Sequence, residues 1–253
     1  MVSKHIELLS DREWPSDAFA VSLPIRRETA ALGVIDMQHY ALNPASDLIH
    51  TVKAHREELY RQFAAEAGIA VANTARLIEC FRGARRRVVY TRHGMLLPDG
   101  ADLVVRRRGR EAAALESMSG HSGHLPLRGT AGHQIVDELA PLPGELVLDK
   151  NTSSAFNSTS IEMFLRNMGV DTLVLTGVAS DQCVFATALD AADRGFHVII
   201  ASDATAGFDP GSTRAVQILF GRVWGYVMET SAVIRWMETG EKPSATRHQV
   251  TGG

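Results

Sequence analysis

Six short apolar runs, each followed by a turn and most of them by a stretch of helical spacing, constrain this chain more than any other feature. Ala30–Ile35, Arg87–Thr91, Glu145–Asp149, Thr172–Thr176, His197–Ala201 and Tyr226–Met228 read as strands. The first is continuously apolar and does not alternate, which suits a strand covered on both faces of a parallel sheet. Between the runs, residues 47–82 read as helical with a break at Gly68, and Ile69, Ala72, Leu77, Ile78 and Phe81 give a stripe at helical spacing. Further helices are expected from Ser158 to Asn167 closed by Gly169, one carrying Cys183 in its first turn and running to about Arg194 closed by Gly195, from Ser212 to Phe220, and from Ser231 to Glu238. Alternating strands and helices are the signature of one α/β domain, with a mostly parallel sheet and helices on both faces in a Rossmann-type three-layer sandwich. The domain is expected to span 29–240, with an irregular arm over 1–28 along the body or a neighbouring subunit and a loose polar tail over 241–253.

Composition narrows the partners. The formal net charge of the 253-residue chain is -3, so no global field attracts nucleic acid. Arg85–Arg87 and Arg106–Arg108 lack interleaved aromatics and read as solvated surface, the second with a minor prospect of facing an anionic substrate group. No apolar run approaches the roughly 20 residues of a membrane span. The first fifteen residues, with Lys4, Glu7, Asp11, Arg12 and Glu13, do not resemble a signal peptide. The two cysteines, Cys80 and Cys183, form no CxxC pair and suit a reducing cytoplasm.

Chemistry-bearing residues gather at strand ends. Leu173–Thr176 leads through Gly177 into a helix whose start carries Cys183, and a helix N-terminus favours the thiolate. Cys80 lies within an amphipathic segment and reads as packing. Asp36 ends the first strand and Lys150 ends the third. Ligands of open parallel sheets bind at the carboxyl ends of the strands, so a carboxylate, an ammonium and a thiol converge on one rim. Singly, the aspartate reads as a cap and the lysine as a surface group. Together they form a nucleophilic site: the ammonium steadies the thiolate, and the carboxylate takes its proton and returns it to a departing amine. A metal is not expected, because His121, His124 and His133 match no zinc spacing.

Val34-Ile35-Asp36-Met37-Gln38, Leu148-Asp149-Lys150 and Thr176-Gly177-Val178-Ala179-Ser180-Asp181-Gln182-Cys183-Val184 resemble, in order and context, the three motifs of the isochorismatase-like cysteine hydrolases. The resemblance covers roughly Thr29 to Glu238. It implies a six-stranded parallel sheet, a triad of Asp36, Lys150 and Cys183, and a cis peptide between Val178 and Ala179 that makes the amides of Ala179 and Cys183 an oxyanion hole. It implies a cysteine amidohydrolase that cleaves a small amide or ureide through a thioester, without a cofactor, and a homo-oligomer, dimer or tetramer. Metal-assisted nicotinamidases of the family carry Asp-x-His after the second strand; Tyr90-Thr91-Arg92-His93-Gly94 has no acidic residue there. The stretch after Lys150 is more similar to the ureidoacrylate and biuret hydrolase branch, and N-carbamoylsarcosine amidohydrolase belongs to the same group. Expected substrate contacts are Gln38, Asn151 and Asn157 to an amide or urea, Arg92 and His93 to a carboxylate, and Phe156 over a small planar substrate. The long connection Arg92–Gly132 and the arm are expected to close the site. The competing readings are an isochorismate pyruvate-hydrolase, which cleaves a vinyl ether, and a non-catalytic binding protein on the same fold.

Overall fold

A computed structural model describes residues 22–109, 111 and 125–241. Most of the expected arm, nearly all of the expected tail, and His121 and His124 lie outside the described residues. Six strands, β1 Ala30–Ile35, β2 Arg87–His93, β3 Leu146–Lys150, β4 Thr172–Val178, β5 His197–Ala206 and β6 Tyr226–Met228, form one sheet in the order β3-β2-β1-β4-β5-β6. Every pairing is parallel. The chain builds outward from β1 to β3 on one side, then returns beside β1 with β4, so the order reverses between β1 and β4. Such a reversal opens a crevice above the carboxyl ends of those strands.

Strand alternation explains the continuous apolar runs. Leu32 and Val34 of β1, Val174 of β4 and Ile199 of β5 face one core, shared with the helices Glu57–Gly83 and Thr230–Thr239. Ala31 and Ile35, Leu173 and Leu175, and Val198 and Ile200 face the other, shared with Ile161–Asn167 and Phe185–Asp193. Successive side chains leave opposite faces and both faces are covered, so apolar residues follow one another without alternation.

Several boundaries differ from expectation. Gly68 does not break the helix, which runs unbroken over Glu57–Gly83; the interruption falls at Arg56, with φ -149 and ψ 63. One glycine costs only about 1 kcal/mol inside a helix. The buried face through Phe63, Ala67, Ala70, Thr74, Leu77, Ile78 and Phe81 outweighs that cost. This phase leaves Ile69 57% exposed and Ala72 exposed too, off the expected stripe. The helix expected from Ser158 begins at Ile161, after a 3-10 turn at Ala155–Asn157. Strand β5 continues past Ala201 to Ala206, with a register shift against β4 between Leu175 and Gly177. The helix expected from Ser212 spans Pro210–Val223, its N-terminus capped by the Asp209 carboxylate accepting the Ser212 N–H at 2.8 Å. The described part of the arm lies on the body: Ile25 is buried and the Leu23 N–H donates to the Tyr226 hydroxyl at 3.0 Å.

Gly177, near the end of β4, has φ 123, and a Cβ there would run into the Ile35 carbonyl. Only glycine lets β4 approach β1 this closely just before the Cys183 turn.

Candidate active site

Asp36 leaves β1 with φ 53, a left-handed conformation that Asp tolerates better than most residues. Its N–H donates to the Thr91 carbonyl at 3.2 Å, and the Thr91 hydroxyl donates to Oδ1 at 2.7 Å. The second carboxylate oxygen therefore faces the rim, where Lys150 Nζ lies 2.6 Å away. Lys150 closes β3 and is fully buried; its ammonium also donates to the Thr152 and Ser153 carbonyls at 3.0 and 3.1 Å. Burial alone would discharge this ammonium, but the Asp36 carboxylate and Cys183 outweigh it and hold the lysine above its ordinary pKa. The two side chains are each other's buried partners.

After β4 and a cis Val178–Ala179 peptide, residues Ser180–Val184 form a π-helical turn before the α-helix Phe185–Asp193. Cys183 sits in that wider turn rather than in the first turn of the α-helix. It is 4% exposed, and its sulfur lies within 4.8 Å of the Asp36 carboxylate and of a His93 ring nitrogen. The expectation of a resting thiolate is corrected here. Burial pushes the Cys183 thiol up to about 12, against the opposing pull of Lys150. The helix-dipole argument is local, whereas the loss of solvating water comes from the whole fold, and the lysine charge is already neutralised by Asp36. In the free protein the thiol is protonated.

That assignment has a measurable sign. The folded chain keeps on Cys183 a proton that an unfolded chain loses near the ordinary value of 9.0. This contribution to stability is complete below pH 9 and disappears as pH rises through about 12. Relative to Cys183→Ala, the wild type is expected to lose about 1.4 kcal/mol per pH unit across that window, read from urea midpoints. Parallel curves for the two proteins would contradict a buried protonated thiol.

The expected substrate contacts divide. Gln38 is fully buried and spends its side chain on the backbone: Oε1 accepts the His93 N–H at 2.7 Å, and Nε2 donates to the carbonyls of His93 and His133 at 3.1 and 2.9 Å. Asn151 donates to the Asp102 carbonyl at 2.9 Å and to its carboxylate at 3.2 Å. Arg92 pairs with Asp149 at 2.8 Å and donates to Gln134 at 2.8 Å. Each of these is a structural tie, and its partner is tertiary and invisible in local sequence. Phe156 packs into the second core, its ring 5.8 Å from Phe196 and its face 5.1 Å from the Arg194 guanidinium. Asn157 is exposed in the 3-10 turn. His93 alone of the six joins the triad cluster.

Asp36, His93 and Cys183 are ligand types, but the Lys150 ammonium beside Asp36 supplies the positive charge at this place. His133 is buried, with Nε2 3.8 Å from Asp149; burial, opposed by Asp149, lowers its pKa. A cavity of about 780 Å3 is lined among others by Tyr40, Met95, Leu103, Arg108, Glu111 and Leu127. Tyr40 joins the two regions: burial, then Asp36 and Cys183, raise its hydroxyl well above the ordinary pKa. Most of the lining falls in the Arg92–Gly132 connection that was expected to close the site, whereas Tyr40 carries no motif and was not singled out from sequence.

Comparison with known proteins places the sequence and the fold. Residues 30–230 match the Isochorismatase domain model. The chain is 30% identical over 221 residues to a ureidoacrylate amidohydrolase RutB of Methylorubrum extorquens, covering 81% of this chain and 85% of that protein. Among solved structures, an isochorismatase family protein of Desulfovibrio vulgaris superposes with TM-score 0.68 at 27% identity, covering 83% of this chain and 98% of that one. N-carbamoylsarcosine amidase of Thermoplasma acidophilum superposes with TM-score 0.60 at 29% identity, covering 80% and 96%. On its sequence and its fold, this chain belongs to the isochorismatase family.

Proposed function

We propose that this protein is a cysteine amidohydrolase that cleaves the C–N bond of a small amide or ureide through a thioester on Cys183. The observation that carries the reading is the buried cluster drawn from three strand ends, with Lys150 Nζ 2.6 Å from Asp36 and the Cys183 sulfur within 4.8 Å of that carboxylate. The relatives named above, a ureidoacrylate amidohydrolase and an N-carbamoylsarcosine amidase, support the bond class.

In this reading the substrate enters past Tyr40. As Sγ attacks the carbonyl carbon, the thiol proton passes to Asp36, so no free thiolate has to exist in the buried site beforehand. The amides of Ala179 and Cys183 receive the developing oxyanion, an interaction of about 2.7–4 kcal/mol per donor in comparable sites. Asp36 returns the proton to the leaving nitrogen, the C–N bond breaks, and ammonia or an amine departs. Water then adds to the thioester carbonyl as Asp36 takes its proton. The C–S bond breaks, and the sulfur recovers that proton as the acid or carbamate forms. Lys150, pinned by two carbonyls, stays charged and keeps Asp36 oriented throughout.

The reading includes a cytoplasmic homo-oligomer. No helix among the described residues is long and apolar enough to cross a membrane, and sedimentation of the purified protein tests the assembly. The activity is tested by ammonia release from a panel of small primary amides and ureides, with isochorismate as a separate arm. Ammonia from at least one panel member is expected; pyruvate from isochorismate with no ammonia from any panel member would overturn the reading.

A further inference from the structure

A fourth strand end stands on the same rim. Strand β2 lies between β1 and β3, and its last residue, His93, is in register with Lys150. His93 is 1% exposed, and Gln38 clamps its backbone from both sides at 2.7 and 3.1 Å. Yet neither ring nitrogen has a hydrogen-bond partner among the described residues. A buried polar group left unpaired costs about 1–3 kcal/mol, so two on one rigid ring beside a nucleophile point to an occupant that arrives during the reaction.

The geometry says what size that occupant has. Donor atoms of Asp36, His93 and Cys183 lie within 4.8 Å of one another, so some point is no farther than about 2.8 Å from all three, within reach of one small polar atom. Its chemistry follows from the ring's charge. Burial, then Lys150, Arg107, His133 and Arg106, hold His93 well below its ordinary pKa, so the ring is neutral. A neutral imidazole offers one donor and one acceptor, which matches water or an amine.

We propose that His93 is a further catalytic residue whose imidazole holds the small group that exchanges a proton with Asp36, the departing amine in acylation and the attacking water in deacylation. The two occupants share one place because each lies opposite the sulfur on the same carbonyl carbon. In acylation the amine nitrogen receives the proton from Asp36 and leaves. In deacylation the water oxygen gives its proton to Asp36 and bonds to that carbon. The amine half rests on the amidohydrolase reading; the water half needs only a thioester on Cys183.

The test uses 4-nitrophenyl acetate, whose leaving group departs without a proton, so that the ester isolates deacylation. His93→Leu is expected to release one equivalent of nitrophenolate in a burst and then turn over about 10²-fold more slowly than wild type. Hydroxylamine, a nucleophile that needs no positioned base, is expected to restore much of that rate. His93→Asn, which keeps a donor and an acceptor, is expected to fall between the two. Unit burst amplitude reports an intact site in each variant. A wild-type steady-state rate in His93→Leu, or a lost burst in both variants without hydroxylamine rescue, would overturn the proposal. Absence of ammonia from every amide with wild-type enzyme would instead remove the amidohydrolase reading, leaving the ester result to stand by itself.

Discussion

Cys183→Ala is expected to lower turnover of the best panel substrate by at least about 10³-fold while the protein remains folded. In the proposed mechanism this substitution leaves the Ala179 and Cys183 amides and the Asp36–Lys150 pair without a covalent path. The loss should appear in kcat rather than KM, because Sγ acts on the carbonyl and does not by itself bind the rest of the substrate. No other thiol compensates: Cys80 is half-buried in the Glu57–Gly83 helix and its own pKa is raised, by burial first and then by Glu238. Truncating one small buried side chain costs on the order of 1 kcal/mol of stability, too little to unfold the chain. Retained turnover in a folded Cys183→Ala protein would remove the thioester mechanism.

Lys150→Met is expected to act on stability as strongly as on catalysis. The substitution keeps the length of the side chain and deletes the only cation ion-paired to Asp36 among the described residues, leaving a carboxylate that is 1% exposed without its counter-charge. Breaking a buried pair from one side costs about 3–5 kcal/mol. The Thr152 and Ser153 carbonyls also lose their donor, which loosens the loop after β3. Adding Asp36→Asn removes the stranded charge, and the double variant is expected to recover much of the stability and none of the turnover. Urea midpoints at pH 7 for both proteins check this. Equal stability of Lys150→Met and wild type at pH 7 would contradict a buried ionised pair.

How much of this was legible in sequence depends on whether a feature is local. Strands β1 and β4 are buried on both faces and so write uninterrupted apolar runs, which made the parallel sheet and its active rim readable. Asp36 was visible because it ends such a run, and Lys150 because it ends the short run of the half-buried edge strand β3. The second half of β5, Ser202-Asp203-Ala204-Thr205-Ala206, was not visible: its polar residues find partners elsewhere, Asp203 with Asn73 and Thr230, for instance. Gly68 misled because a composition cue weighed against a helix that tertiary packing sustains. Gln38, Asn151 and Arg92 show the converse. A polar residue near a motif reads as a free hand until the fold shows the carbonyl or carboxylate it already holds. The Cys183 titration belongs to the same class, since burial is a property of the assembled protein and the helix terminus is not. His93 was noticed in sequence, but its strand order, between the Asp36 and Lys150 strands, is what makes it part of the cluster.

The central claim is that the acyl group of the substrate rests on Cys183 between the two halves of the reaction. Single turnover of a carbonyl-labelled amide by excess enzyme, acid-quenched over time and digested, follows it directly. The label is expected on the peptide carrying Cys183, decaying with the rate constant at which labelled acid appears. Label passing from amide to acid without residing on that peptide, with Cys183→Ser matching the wild-type rate, would contradict the account.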